Sequence, residues 1–251
     1  HTSLACIPSG KVARARLKIK ENGVISGVEV AKNIFNYINP SIVFEEALND
    51  GDDVQVGQIA FSVQGDLRSI LIAERLVLNL MQRMSGISTV TNQYVNCISH
   101  TKAKVLDTRK TTPGIRWFEK EAVKIGGGEN HRFGLFDMVL IKDNHVDGAG
   151  GIEAALNAAR AYLNEKKLNI PIEIEVRSMD ELKLAIENGK ADRIMLDNFS
   201  TSQTKAAVDF VNGRSLLESS GGITLETIKG YAEAGVDFIS VGALTHSVKS
   251  L

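Results

Sequence analysis

The chain has 251 residues, 43% of them hydrophobic, and a formal net charge of -1, which suits one large barrel or two modest domains of a soluble globular protein. A near-neutral balance argues against nucleic acid as a partner, because phosphate binding normally shows as a basic excess on the whole domain, so any anion site has to be local. No run reaches the ~18 apolar residues of a membrane span, no charged-then-apolar leader follows His1, and Cys6 with Cys97 match no zinc spacing, so the expectation is two reduced thiols in a cytoplasmic protein.

Residues 11 to 30 alternate in strand fashion, with Leu17 and Ile19 against Lys18 and Lys20. They turn at "ENG" and resume as a strand over "VISGVEV". A short helix fits "AKNIFNYI", and "DGDDVQVGQIAFSVQGD" reads as two short strands punctuated by glycines. Lipoyl or biotinyl carriers also have such hairpins, but they need a modifiable Lys at the tip, and none lies between Lys32 and Lys102. Asp66 is placed to cap an apolar helix carrying Ile70, Val77, Met81 and Met84, which is expected to stop near Ser85-Gly86. A second helix then carries Ile87, Val90, Tyr94 and Ile98. Arg75 sits in "LIAERLVLNL", where the stripe would bury it against another surface, and a buried cation is costly unless an anion meets it.

From residue 104 the pattern becomes strand, loop, helix, repeated. The strands are "KVLD", "DMVLIKD", "IEIEV", "RIMLD", "SLLESSG" and "DFISVG", with helices near 115 to 125, 152 to 166, 179 to 189, 201 to 212 and 224 to 234. Such βα units favour a parallel sheet, closed or doubly wound. Asp107, Lys142, Glu175, Asp197, Ser220 and Gly242 fall at or just past the C-terminal tips of the apolar runs. A parallel barrel gathers those tips at one mouth, whereas a doubly wound sheet spreads them along an edge. Polar or glycine tips on every strand favour the mouth, and the strand count favours an incomplete barrel.

Arg109, Lys110, His131, Arg132 and Lys142 follow the first two strands, with Gly126-Gly127-Gly128 letting the chain double back between them. Arg offers a planar fork to carboxylate or phosphate and Lys a compact point charge, so the implied ligand carries several negative charges. Glu175 and Asp197 end neighbouring strands; they either share a divalent ion such as Mg²⁺ or balance the cations. "SSGGI" and "SVGALTH" close the last two units with small residues, and backbone N–H groups there can cradle a phosphate. Together these suit a pyrophosphate-bearing phosphosugar and a second acidic substrate.

The motifs "DTRKTTPGIR", "GGGENHRFGLFDMVLIKDNH", "IMLDNF", "ESSGGI" and "GVDFISVGALTH" closely resemble the quinolinate phosphoribosyltransferase family, the carboxylating nicotinate-nucleotide pyrophosphorylases of NAD biosynthesis. The likeness runs over nearly the whole chain, "AERLVLNLMQRMSGIST" included. It implies an α/β sandwich domain over 1 to 101, with 246 to 251 as candidates to return to it, and an incomplete α/β barrel over 102 to 245. It also implies transfer of phosphoribose from phosphoribosyl pyrophosphate to quinolinate with loss of CO2, and Mg²⁺ as cofactor. By the same likeness Arg109, Lys110, His131, Arg132 and Lys142 contact quinolinate and pyrophosphate, with Lys110 and Lys142 catalytic. Glu175 and Asp197, also catalytic, hold the metal and ribose, and Ser220, Gly221, Gly222, Gly242 and His246 hold the 5-phosphate. Arg75 reaches the partner's site in a homodimer. Leu76 stands where the family usually has Thr. The family's N-terminal helical segment and the strand after "THSVKSL" lie outside the sequence, so the first domain is expected to be trimmed. A nicotinate phosphoribosyltransferase, a non-catalytic relative and a Schiff-base aldolase using Lys142 are the alternatives.

Overall fold

The computed structural model describes residues 1 to 251 as two compact units: His1–Asn92, Thr111–Gly127 and Leu244–Leu251 form one, and Gln93–Lys110 with Gly128–Ala243 the other. The chain begins with α1 (Thr2–Cys6), β1 (Val12–Lys18), β2 (Gly23–Val24), α2 (Val28–Ile38), β3 (Val43–Glu46), β4 (Asp53–Val54), β5 (Ile59–Asp66) and α3 (Leu67–Ile98). β5 is the middle strand of an antiparallel sheet ordered β1-β5-β3. Phe61 and Val63 of β5 join Phe35 of α2 and Ile70, Val77 and Met81 of α3 in one buried cluster. Phe44 stacks on Phe61 with ring centroids 4.5 Å apart. Helices on a sheet make this unit a sandwich, and removing these side chains from water is its main driving force.

Three local readings of the sequence differ from the structure. "VEV" opens α2 rather than continuing a strand: Gly27 sits at φ 96, and Asp50 accepts the N–H of Val28 at 2.8 Å. That cap comes from 22 positions away and overrides the strand preference of valine. β3 was not anticipated. The two apolar helices are one continuous α3, capped as expected by Asp66, whose Oδ2 accepts the Ser69 N–H at 2.8 Å. Gly86 does not end it. A Cβ there would collide with the Lys249 carbonyl oxygen, so the glycine admits the C-terminal segment against the helix. Arg83, one turn earlier, fastens the same segment through the carbonyls of Thr245 and Val248 and pairs with the buried Glu119 at 2.8 Å.

The rest of the chain is β6 (Lys104–Leu106), α4 (Arg116–Ile125), β7 (Val139–Ile141), α5 (Asp143–Ala149), α6 (Ile152–Lys166), β8 (Ile172–Val176), α7 (Met179–Asn188), β9 (Arg193–Asp197), α8 (Thr201–Val211), β10 (Leu216–Ser220), α9 (Ile228–Ala234), β11 (Phe238–Ser240) and α10 (Ala243–His246). All six expected strands are present, parallel, in the order β6-β11-β10-β9-β8-β7. The end strands β6 and β7 do not pair, so this is an incomplete barrel. Its curvature shows in the interior: Glu173 of β8 and Glu218 of β10 meet across the intervening β9. Alternate strands supply one layer of side chains in this way in a barrel. The short α5 was not anticipated, and α9 begins at Ile228 because Thr224 to Thr227 form a turn, in which the Thr224 N–H donates to the Thr227 hydroxyl at 2.9 Å.

Candidate active site

The strand tips carry the carboxylates. Glu175 and Asp197 end the adjacent parallel strands β8 and β9. Glu175 is 8% exposed; burial raises its pKa, Lys142 opposes that rise, and Asp197 and Asp143 add to it. Lys142 Nζ lies 3.6 Å from Glu175 Oε2, and the Lys142 backbone N–H donates to His145 Nδ1 at 2.9 Å where α5 begins. Asn198 donates from Nδ2 to Asp197 Oδ2 at 2.8 Å. Asp143 was not anticipated here. Its place directly after the Lys142 tip was the available signal.

The cations gather after β6. Arg109 keeps its Nε buried with no hydrogen-bond partner, a donor left for something outside the chain. Burial pulls the Arg132 pKa down and Arg109 pulls it further, while Glu173 and Asp137 act the other way. An anion between these two guanidinium groups would relieve their repulsion. Lys110 is exposed, its N–H held by Thr108 Oγ1 at 3.1 Å.

The small-residue loops are shaped by one close approach. Asn198, itself at φ 55, donates its N–H to the Ser220 carbonyl at 2.9 Å. Gly221 at φ 102 lies so near the Asn198 side chain that a Cβ would collide with it. Gly222, at φ 61, has open space around it, and Gly242 follows β11. Ser220, Gly221, Gly222 and Gly242 thus share the unit of the cations and carboxylates.

Arg75 and His246 belong to the other compact unit. Arg75 is exposed on α3 rather than buried within this chain, among Leu71, Ile72 and Leu76, which are exposed as well. His246 is exposed, with Nδ1 2.6 Å from Ser247 Oγ.

Beneath the mouth lies a group of which the sequence reading named only His131, as a substrate contact, and passed over Glu173, Glu218 and Arg193. His131 Nε2 is 2.8 Å from Glu173 Oε2 and 3.6 Å from Glu218 Oε2, and both carboxylates are fully buried. Arg193 Nη1 reaches the same Glu218 oxygen at 2.9 Å and lies over the Phe238 ring at 3.9 Å. Glu173 precedes Glu175 by two, so both point to the same face of β8 in successive layers. That alternation inside "IEIEV" was the signal for Glu173; Glu218, inside "LLESS", had none.

An α/β enzyme of the barrel type, with carboxylates at its strand tips and cations in the loops beside them, is the class this arrangement defines. The chain belongs to the quinolinate phosphoribosyl transferase family: residues 1–85 match the model of its N-terminal domain and residues 87–251 that of its C-terminal domain. It is 46% identical over 264 residues to quinolinate phosphoribosyltransferase [decarboxylating] 1b of Nicotiana tabacum, covering all of this chain and 75% of that one. It is 44% identical over 257 residues to nicotinate-nucleotide pyrophosphorylase [carboxylating] of Mycobacterium leprae, covering 100% and 88%. Among solved structures, NadC from Streptococcus pyogenes superposes with a TM-score of 0.94 at 39% identity, over 100% of this chain and 87% of that one. The nicotinate-nucleotide pyrophosphorylase from Francisella tularensis gives 0.91 at 41%, over 99% and 86%.

Proposed function

We propose that this chain transfers the phosphoribosyl group of phosphoribosyl pyrophosphate to the ring nitrogen of quinolinate, with loss of CO2, to give nicotinate mononucleotide and pyrophosphate for NAD biosynthesis. The observation that carries this reading is the gathering of Arg109, Arg132, Lys142, Glu175 and Asp197 in one unit of a chain whose two halves both match the family.

Arg109 and Arg132 receive the two carboxylates of quinolinate: the unpartnered Nε of Arg109 and the repulsion between the guanidinium groups both call for a dianion. Lys110 and Lys142 face the pyrophosphate, whose charge grows as the C1–O bond breaks and the bond's electrons leave with it. The ring nitrogen supplies the pair for the new C1–N bond. Glu175 favours the positive charge that builds on the ribose. The positive pyridinium nitrogen so formed stabilises the electron pair left on the adjacent ring carbon when its carboxylate departs as CO2, and a proton from water then fills that carbon. Ser220, Gly221 and Gly222, followed by Gly242, supply the 5-phosphate cradle.

Glu175 and Asp197 fit a divalent cation, because the Asp197 charge adds to the burial that disfavours ionised Glu175 and Lys142 offsets only part of that. Mg²⁺ held there would neutralise pyrophosphate charge. Arg75, exposed amid Leu71, Ile72 and Leu76, suits a face covered by a second copy, which would deliver the arginine to the partner's site. Two free cysteines, Cys6 and Cys97, suit a reducing compartment such as the cytoplasm; no helix is long and apolar enough to cross a membrane.

The test is to offer carboxyl-labelled quinolinate or nicotinate with phosphoribosyl pyrophosphate, with and without Mg²⁺. Labelled CO2 and nicotinate mononucleotide are expected from quinolinate only, and only with the metal. Turnover of nicotinate in preference, or none of either, would overturn the reading.

A further inference from the structure

Two carboxylates buried side by side in a barrel are a poor way to make it stable. Glu173 and Glu218 are each 0% exposed, and Glu173 Oε1, Glu173 Oε2 and Glu218 Oε1 have no well-aligned hydrogen bond. Buried ionic groups are commonly replaced by apolar ones at no loss of stability, and their retention here asks for another reason. A metal ion held by His131, Glu173 and Glu218 is one candidate, since their ligand atoms lie within 4.8 Å of one another. Arg193 argues against it: its guanidinium sits 2.9 Å from Glu218 Oε2, the oxygen that faces His131, so a second cation there would meet a first.

The His131 ring points to a different purpose. The Arg132 backbone N–H donates to His131 Nδ1 at 2.7 Å, so Nδ1 carries the lone pair and the ring proton resides on Nε2. Nε2 itself is 2.8 Å from Glu173 Oε2. The His131 backbone N–H donates to the buried Asp107 Oδ1 at 2.9 Å. The ring is thus held at Nδ1 by the backbone N–H of Arg132 on one side, with Nε2 at close range of Glu173 in the barrel interior on the other.

We propose that Glu173 is a positioning residue for quinolinate: it braces the His131 ring from below, the ring fixes the Arg132 backbone, and Arg132 is thereby aimed at a substrate carboxylate. Glu218, tied to Arg193, closes the opposite side of the ring. Glu173 also helps Arg132 keep its charge against burial and against Arg109. The proposal rests on the reading of Arg132 as a quinolinate contact.

The experiment compares Glu173→Met, Glu173→Gln, Arg132→Lys and the double variant Glu173→Met/Arg132→Lys in the full-length protein, measuring KM for each substrate, kcat and thermal unfolding. Met fills the volume but cannot accept the ring proton, so it is expected to raise the KM for quinolinate about tenfold while the melting temperature holds or rises, with the KM for phosphoribosyl pyrophosphate within about twofold of wild type. Gln keeps an acceptor and is expected to restore the quinolinate KM. Residues acting through one another are not additive, so the double variant is expected to be no worse than Arg132→Lys alone. Equal damage to both KM values with a fall in melting temperature, additive losses, or an unchanged quinolinate KM beside a raised one in Arg132→Lys would each overturn the brace. An unchanged quinolinate KM in Arg132→Lys itself would instead remove the contact beneath it. A second measurement needs no variant: spectra of ¹⁵N-histidine protein should show His131 with its proton on Nε2, and a proton on Nδ1 or a freely flipping ring would reject the proposal even if Met at 173 prevented folding.

Discussion

Glu175 is a carboxylate held where it is least comfortable, shielded from water and next to Asp197, with Lys142 the cation that offsets it. Glu175→Gln removes the awkward charge and keeps the shape. It is expected to unfold no earlier than wild type, yet to lose about a hundredfold or more in turnover, on the scale of one preorganised electrostatic contact; melting curves and steady-state rates check both halves. Gly221 makes the converse case. Gly221→Ala would strain a backbone at φ 102 and drive a methyl into Asn198, at a cost of about 1 to 3 kcal/mol. Since that loop is the proposed phosphate cradle, the KM for phosphoribosyl pyrophosphate should rise more than that for quinolinate. At this scale the sequence was informative where a polar residue ended an apolar run, as with Asp107, Lys142, Glu175 and Asp197. It was silent where a charge sat inside the run: Glu218 looks like any polar strand residue until the curvature of the sheet brings it to Glu173.

Elements follow the same divide between local and distant causes. The six parallel strands were legible because each is a short apolar run bounded by polar tips, and the α3 start was legible because Asp66 caps from one turn away. The α2 start and the continuity of α3 were not, because Asp50 and the Lys249 carbonyl act from far along the chain. Two helical glycines separate these causes experimentally. Gly148 in α5 has open space around it, so Gly148→Ala should stabilise by roughly 0.5 to 1 kcal/mol through helix propensity alone. Gly86→Ala would gain the same propensity but push a methyl into the Lys249 carbonyl oxygen, in a segment that Arg83 fastens at the neighbouring Val248 carbonyl. The steric term should win, and chemical denaturation should show the variant at least about 1 kcal/mol less stable than wild type. A stabilised Gly86→Ala would mean that the C-terminal segment does not lie against α3.

Over the whole molecule, a net charge of -1 conceals a separation: cations in and beside the loops that follow the strands and a surplus of acid in the interior. The interior surplus has a consequence for stability that can be read against pH. Burial pushes Glu218 up to about 7 from 4.5, and Glu173 adds to the shift; Glu173 is raised in turn, chiefly by its own burial. A raised carboxyl pKa means that the folded state binds more protons than the unfolded chain between 4.5 and 7. Stability therefore falls as pH climbs through that window and levels off above it. For Glu218 alone the full loss is about 3 kcal/mol, from 2.5 pKa steps at 1.36 kcal/mol each. Glu218→Gln cannot ionise and escapes this loss, so its denaturation free energy relative to wild type should improve from pH 5 to about pH 7 and flatten towards pH 8. If the two proteins kept a constant difference across that range, Glu218 would have to be ionised throughout, with Arg193 and His131 outweighing its burial and the repulsion from Glu173.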